Sequence, residues 1–96
     1  MNQKSRRSLI AAYFYDETKY REGSASERIV SEIDKLWEQG EHSVTIDLLT
    51  AIVERRHPIL KEQLVSIEER VRKVVSWAKS KGLIVAEGDM VKIIPE

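Results

Sequence analysis

The residues best suited to chemistry lie between positions 70 and 81, where five basic residues occur without an acidic one. Lys and Arg attract phosphate, and Arg can pair with guanine in the major groove of DNA. Arg70 and Lys73 are three positions apart, so they share a face of a helix that spans them. The segment predicts a DNA-binding helix, and a merely solvated polar face is the alternative. The five residues are Arg70, Arg72, Lys73, Lys79 and Lys81.

Charge is unevenly distributed along the chain, although 16 basic and 16 acidic residues give a formal net charge of zero. Residues 1–21 contain five basic and two acidic residues, and residues 48–81 contain eight and four. Residues 22–47 are acidic, with two basic and seven acidic residues. A neutral total argues against nucleic-acid binding, but phosphate attraction is local, so a basic patch is sufficient.

A second basic group precedes Pro58, at a break between two helical patterns. We expect Arg55 and Arg56 to flank the basic helix and to contact DNA phosphates. His57 is either a turn residue or a further phosphate contact.

The sequence contains little that supports catalysis. It has no cysteine, which excludes disulfides, thiol nucleophiles and cysteine-ligated metals. His42 and His57 are the two histidines, and no HExxH, GxSxG or phosphate-loop motif is present. We interpret His42 as a surface-loop residue rather than a metal ligand. The sequence therefore predicts a protein that is not an enzyme, with no catalytic residue, no metal and no other cofactor.

The elements that must position the basic residues are predicted from caps and periodicity. Ser24 and Glu27 have the spacing of a capping box and open a helix over 24–39, which ends at Gly40. Its apolar stripe consists of Ile29, Ile33, Leu36 and Trp37. A short strand at 43–45 leads into a helix over 45–56, which Thr45 caps. The buried face of that helix is predicted to consist of Leu48, Leu49, Ile52 and Val53.

The basic helix itself is predicted to span 66–81, after a short helix over 59–65. Ser66 and Glu69 repeat the capping-box spacing, and Gly82 follows as the stop. Glu68 and Glu69 favour the helix start, and they are alternatively acceptors for cytosine in the groove. The core side consists of Ile67, Val71, Val74, Val75 and Ala78. Two β-prone runs within 83–94 surround Gly88 and predict a hairpin.

The N-terminal segment carries a separate apolar face. Its spacing favours a helix, although the aromatic run at 13–15 is also compatible with a strand. We predict that this face is the surface of a homodimer, and packing on the chain's own domain is the alternative. The division is then 1–22 for an N-terminal arm or dimerisation helix and 23–96 for the domain. The face consists of Leu9, Ile10, Tyr13 and Phe14.

The order helix, short strand, helix, helix and hairpin resembles the winged helix-turn-helix family, and in particular small MarR-like or related prokaryotic and viral transcription regulators. In that family the recognition helix closes on a glycine, and an aliphatic pair starts the wing. The resemblance covers residues 24–94 and implies a mainly α fold with a small β-hairpin. It is sharpest in Val71-Arg72-Lys73-Val74-Val75, Ala78 and Lys81-Gly82-Leu83-Ile84.

The resemblance implies a sequence-specific regulator of transcription that binds double-stranded DNA as a homodimer and inserts helix 66–81 into the major groove. Two-fold pairing would double the few base contacts of one helix. The wing tip Glu87-Gly88-Asp89 departs from the family pattern because it is acidic. The alternative is a winged-helix protein–protein interaction module in a larger assembly. The predicted DNA-binding residues are Arg55, Arg56, His57, Ser66, Glu69, Arg70, Arg72, Lys73 and Lys92.

The remaining predictions concern packing and location. Trp37 and Trp77 are interpreted as packing residues, with Trp77 against the wing or a partner. The brief apolar run at 9–14 is shorter than a signal peptide or a membrane span requires. We therefore expect no membrane partner and a cytoplasmic location, in association with nucleoid or host-cell DNA.

Overall fold

The computed structural model of the chain describes residues 7–64 and 66–95. Residues 1–6 of the predicted arm, Val65 at the end of the predicted short helix and Glu96 lie outside the described residues. The elements are α1 (Leu9–Glu17), α2 (Ala25–Glu38), β1 (Ser43–Thr45), α3 (Ile46–Arg56), α4 (Ile59–Glu62), α5 (Ile67–Ser80), β2 (Ile84–Glu87) and β3 (Met90–Ile93). The prediction of a mainly α chain with a small β-hairpin is confirmed.

Helix starts follow the predicted caps at two positions and differ at a third. The Ser24 and Thr45 hydroxyls accept hydrogen bonds from the amides of Glu27 and Leu48, at 3.2 and 3.1 Å. The Ser66 side chain makes no capping bond, so that part of the prediction is wrong. Its ψ of 102° differs from 164° at Ser24 and 156° at Thr45, so its hydroxyl is not held over the first turn.

The reciprocal half of the first capping box is also different from the prediction. The Glu27 carboxylate accepts from the Gly23 amide at 3.2 Å, because the Ser24 amide already donates to the Arg21 carbonyl at 3.1 Å. The Tyr15 hydroxyl donates to the same carboxylate at 2.7 Å. The pKa of Tyr15 is raised above its usual value. Burial is the main cause, and the hydrogen bond to Glu27 is the second.

The sheet has three antiparallel strands in the order β1-β3-β2. The β2–β3 hairpin closes through Gly88, whose φ of +56° suits the first turn position of a two-residue loop. β1 adds to the other edge of β3, with Val44 opposite Val91. One face of the sheet therefore joins the core, while Lys92 and Met90 lie on the outer face.

The apolar face of α1 lies within the chain's own core. Ile10 is fully buried and Phe14 is 6% exposed, in one cluster with residues of α2, α3 and α5. The buried Ser8 donates its amide and hydroxyl to Asp34 Oδ1 of α2, at 3.3 and 3.2 Å. The prediction of a dimer surface is therefore corrected for Ile10 and Phe14, which pack on their own domain, while Leu9 and Tyr13 are half-buried at its edge.

Two further packing predictions are corrected. The Trp77 ring lies 5.9 Å from that of Tyr13 and 6.1 Å from that of Phe14, so it faces α1 rather than the wing. Leu48 is 52% exposed. The core side of α3 follows the spacing i, i+3, i+7, which turns Leu48 to the opposite side. That core side consists of Ile46, Leu49 and Val53.

Candidate nucleic-acid interface

Helix α5 has one buried and one open side. Apolar residues of α5 pack towards α2, α3 and β2, which leaves Glu69, Arg70 and Lys73 exposed. These three residues, with Leu64 and Ser66, line a shallow cavity of about 300 Å³ at the start of the helix. The cavity combines a guanidinium, an ammonium, a carboxylate, a hydroxyl and an apolar side chain. That set can recognise hydrogen-bond donors, hydrogen-bond acceptors and an adjacent apolar group.

Arg70 and Lys73 are exposed, and both line the cavity at the start of α5. Within the ranges 7–64 and 66–95, neither forms an ion pair. The sequence predicted that these two residues share a face, and the structure brings them together in one cavity. Ser66 and Glu69, which were also predicted as site residues, line the same cavity.

Arg72 differs from its two basic neighbours because acidic side chains hold it. Its Nε donates to Glu68 Oε2 at 3.1 Å, and its Nη1 lies 3.7 Å from Asp89 Oδ1 at the hairpin tip. The hydrogen bond to Glu68 raises the pKa of Arg72 above its usual value. The guanidinium therefore links α5 to the hairpin, and its charge is partly compensated within the chain.

The basic group at the end of α3 is divided between solvent and the interior. Arg55 is exposed. Arg56 places Nη1 3.7 Å from Glu32 Oε1, and its side chain is 45% exposed. His57 is only 15% exposed, with Nε2 at 2.7 Å from Glu32 Oε2. The predicted phosphate contact by His57 is corrected, because the ring is engaged by α2.

The His57 ring has a defined hydrogen-bonding state. Its Nδ1 lies 3.1 Å from Nη1 of Arg28, and a guanidinium can only donate. Nδ1 therefore accepts, and Nε2 carries the proton that it donates to Glu32. A ring with its proton on Nε2 satisfies both partners at once.

Sequence reasoning missed Glu32, the acidic centre of this cluster. Its side chain is 2% exposed, and Lys35 Nζ also lies 3.7 Å away. A buried carboxylate is costly unless it is paired, which explains the three nitrogen groups around it. The signal in the sequence was its position three residues after Ile29 and four before Leu36, at the border of the apolar stripe of α2.

A second cavity, of about 330 Å³, opens between α5 and the loop that joins α1 to α2. Its rim carries Lys19, Arg21 and Lys73, none of which forms an ion pair with a described residue. Phe14 and Trp77 form part of the apolar wall of this cavity. No carboxylate is among its lining residues. Lys73 thus connects the cavity at the start of α5 to a second cationic rim.

Sequence reasoning did not name Lys19 or Arg21 as site residues. The positive balance of residues 1–21 was the available signal. Their approach to α5 depends on the packing of α1, which local patterns do not report. Lys92, by contrast, was predicted in the site and lines neither of the two cavities beside α5. It pairs in register with Ser43 and Val85 on the sheet.

Comparison with family models, with curated proteins and with solved structures gave no match to this chain. None of the helices among the described residues has the length and apolar character needed to cross a membrane. In the same part of the chain, histidine and acidic side chains do not gather in a set of three that could hold a metal ion.

Proposed function

We propose that this protein is a winged helix-turn-helix regulator of transcription that binds double-stranded DNA in a sequence-specific manner, as a homodimer. The observation that carries the proposal is the open side of α5, where Arg70 and Lys73 lack acidic partners among the described residues. The element order α2, β1, α3, α5 and hairpin, with a β1-β3-β2 sheet, supports the assignment to this class.

The chemistry of the cavity at the start of α5 suits the edge of a G·C base pair. The Arg70 guanidinium can donate two hydrogen bonds to guanine O6 and N7, and the Glu69 carboxylate can accept one from the cytosine amino group. Both residues line the same cavity as Ser66, whose hydroxyl makes no capping hydrogen bond to α5. Arg72, which Glu68 and Asp89 hold, is the weaker candidate for base contact.

The cationic rim of the second cavity suits the phosphate backbone beside the groove. Lys19, Arg21 and Lys73 lie around one opening without a carboxylate, so they add to the local positive potential. Exposed Arg55 at the end of α3 is a further phosphate candidate. Local charge of this kind supports binding by a chain whose net charge is zero.

The homodimer follows from the small size of one recognition surface. Two copies related by a two-fold axis would double the base contacts and select a palindromic site. Because Ile10 and Phe14 are buried in the chain's core, the dimer would use other residues.

The test is a selection of duplexes from a random pool at near-physiological salt, followed by titrations of the selected and a scrambled duplex at several salt concentrations. We expect an enriched palindrome and a steep decrease of affinity with salt. Arg70→Ala should lose preference at one base pair, whereas the charge-matched control Lys81→Ala should keep it. No enriched sequence and a flat salt dependence would refute the proposal.

A protein-interaction module is the second candidate, and the hairpin favours it. Its tip carries Glu87 and Asp89, which would repel phosphate. The hairpin also exposes Val85 and Met90, at 45% and 41%. A duplex titration without salt dependence would support this candidate over the first.

A further inference from the structure

The turn before α5 contains a residue whose backbone and side chain are both unusual. Leu64 has a φ of +59° and is 93% exposed. At the other described positions where φ is positive, the residue is glycine: Gly23, Gly40, Gly82 and Gly88. Leu64 is thus the described position where the chain keeps a large apolar side chain in a conformation that favours glycine.

The local role of Leu64 does not require leucine. Its amide donates to the Lys61 carbonyl at 3.0 Å, which closes the short helix α4. Glycine or asparagine performs this helix-ending role with less steric cost, because the Cβ atom of other residues clashes in the left-handed region. The side chain is 93% exposed, so it adds almost nothing to the core. Strained backbone conformations cluster at functional sites, so the conformation of Leu64 motivates a functional role for it.

The surroundings of Leu64 indicate the kind of partner. It lines the cavity of Ser66, Glu69, Arg70 and Lys73, so a complementary partner presents an apolar group beside hydrogen-bonding groups and negative charge. The major groove of DNA has this combination. Its apolar group is the C5-methyl of thymine, and its base edges and phosphates supply the rest.

We propose that Leu64 contacts the C5-methyl group of a thymine close to the G·C pair that Arg70 and Glu69 recognise. This inference rests on the proposed DNA-binding function. Leu64, Glu69 and Arg70 line one cavity of about 300 Å³, so the groups that they contact lie near one another.

The first part of the test measures stability without DNA. Leu64→Asn introduces a residue that tolerates the left-handed region better than leucine does, so the Tm should rise by a few degrees. Ile59→Asn is the matched control, because Ile59 is an exposed apolar residue on α4 and Asn gains nothing there. A decrease of Tm in Leu64→Asn would show that Leu64 serves folding and would overturn the proposal.

The second part uses the duplex selected by the parent protein, with each thymine replaced in turn by uracil, which lacks only the methyl group. One replacement should weaken binding of the parent about fourfold, the value of one buried methyl group. Leu64→Asn should bind the thymine and uracil duplexes equally, while Ile59→Asn should keep the fourfold preference.

The outcomes separate this inference from the proposed function. If Arg70→Ala loses base preference but no uracil replacement distinguishes the parent from Leu64→Asn, DNA recognition stands and the role of Leu64 is refuted. If the random pool gives no enriched sequence, the proposed function fails and the inference fails with it.

Discussion

The end of α3 and the open side of α5 are both basic in sequence, yet they direct their charges differently. At α3, Arg56 and His57 approach the buried Glu32 carboxylate, at 3.7 and 2.7 Å. On α5, Arg70 and Lys73 have no acidic partner among the described residues. A basic run in the sequence therefore indicates only the amount of positive charge. Whether that charge is neutralised within the chain depends on the position of the nearest buried carboxylate.

The largest expected effect tests the inward-facing cluster. Glu32→Ala leaves His57 with an unpaired donor and Arg56 without its acid, so the free energy of unfolding should decrease by about 3 kcal/mol. Urea denaturation measures this change. The matched control Glu38→Ala, on an exposed part of α2, should stay within about 0.5 kcal/mol of the parent. Equal effects of the two variants would contradict a structural role for the cluster.

The next effect tests the outward-facing residues. Arg70→Ala should cost about 1–3 kcal/mol of binding free energy on the selected duplex and little on a scrambled one, because only base contacts distinguish the two. Its urea midpoint should match that of the parent, since the side chain is exposed. If Arg70→Ala lost stability as well as binding, Arg70 would have a structural role like that of Glu32, and the contrast between the two regions would be refuted.

A smaller effect is expected when two arginines are compared, one on the rim of the second cavity and one beside Glu32. Arg21→Ala should reduce the slope of log affinity against log salt by about 0.9, as expected for one phosphate contact, on every duplex. Arg56→Ala should leave that slope unchanged, because its guanidinium is directed at Glu32. Titrations at four salt concentrations measure both. A reduced slope for Arg56→Ala would restore the phosphate contact that the sequence predicted for it.

The smallest effect concerns Arg72, which lies between the two extremes. Glu68→Gln removes the hydrogen-bonded acid and should raise affinity for all duplexes by no more than about fivefold, the upper limit for an exposed ion pair. Glu38→Gln removes the same charge away from α5 and is the control. Identical gains in the two variants would indicate a general charge effect rather than release of Arg72.

Much of the local architecture was predictable from particular residues. The hydroxyls of Ser24 and Thr45 begin α2 and α3, and Gly88 lies at the tip of the hairpin. The spacing of the apolar residues in α5 turned Arg70 and Lys73 to the open side. These features depend on contacts within a few residues, and periodicity and capping report such contacts directly.

The rest required tertiary structure because the deciding contacts join distant parts of the chain. Ser8 meets Asp34, 26 residues away, which helps to place α1 in the core rather than on a dimer surface. His57 meets Glu32 across 25 residues, which removes it from the predicted phosphate contacts. Leu64 lies in a short turn whose sequence gives no sign of a positive φ. By itself, the sequence determined the helices, the hairpin and the amount of local charge; the packing of α1, α2 and α3 decided which charges remain available, since pairing depends on distance in space.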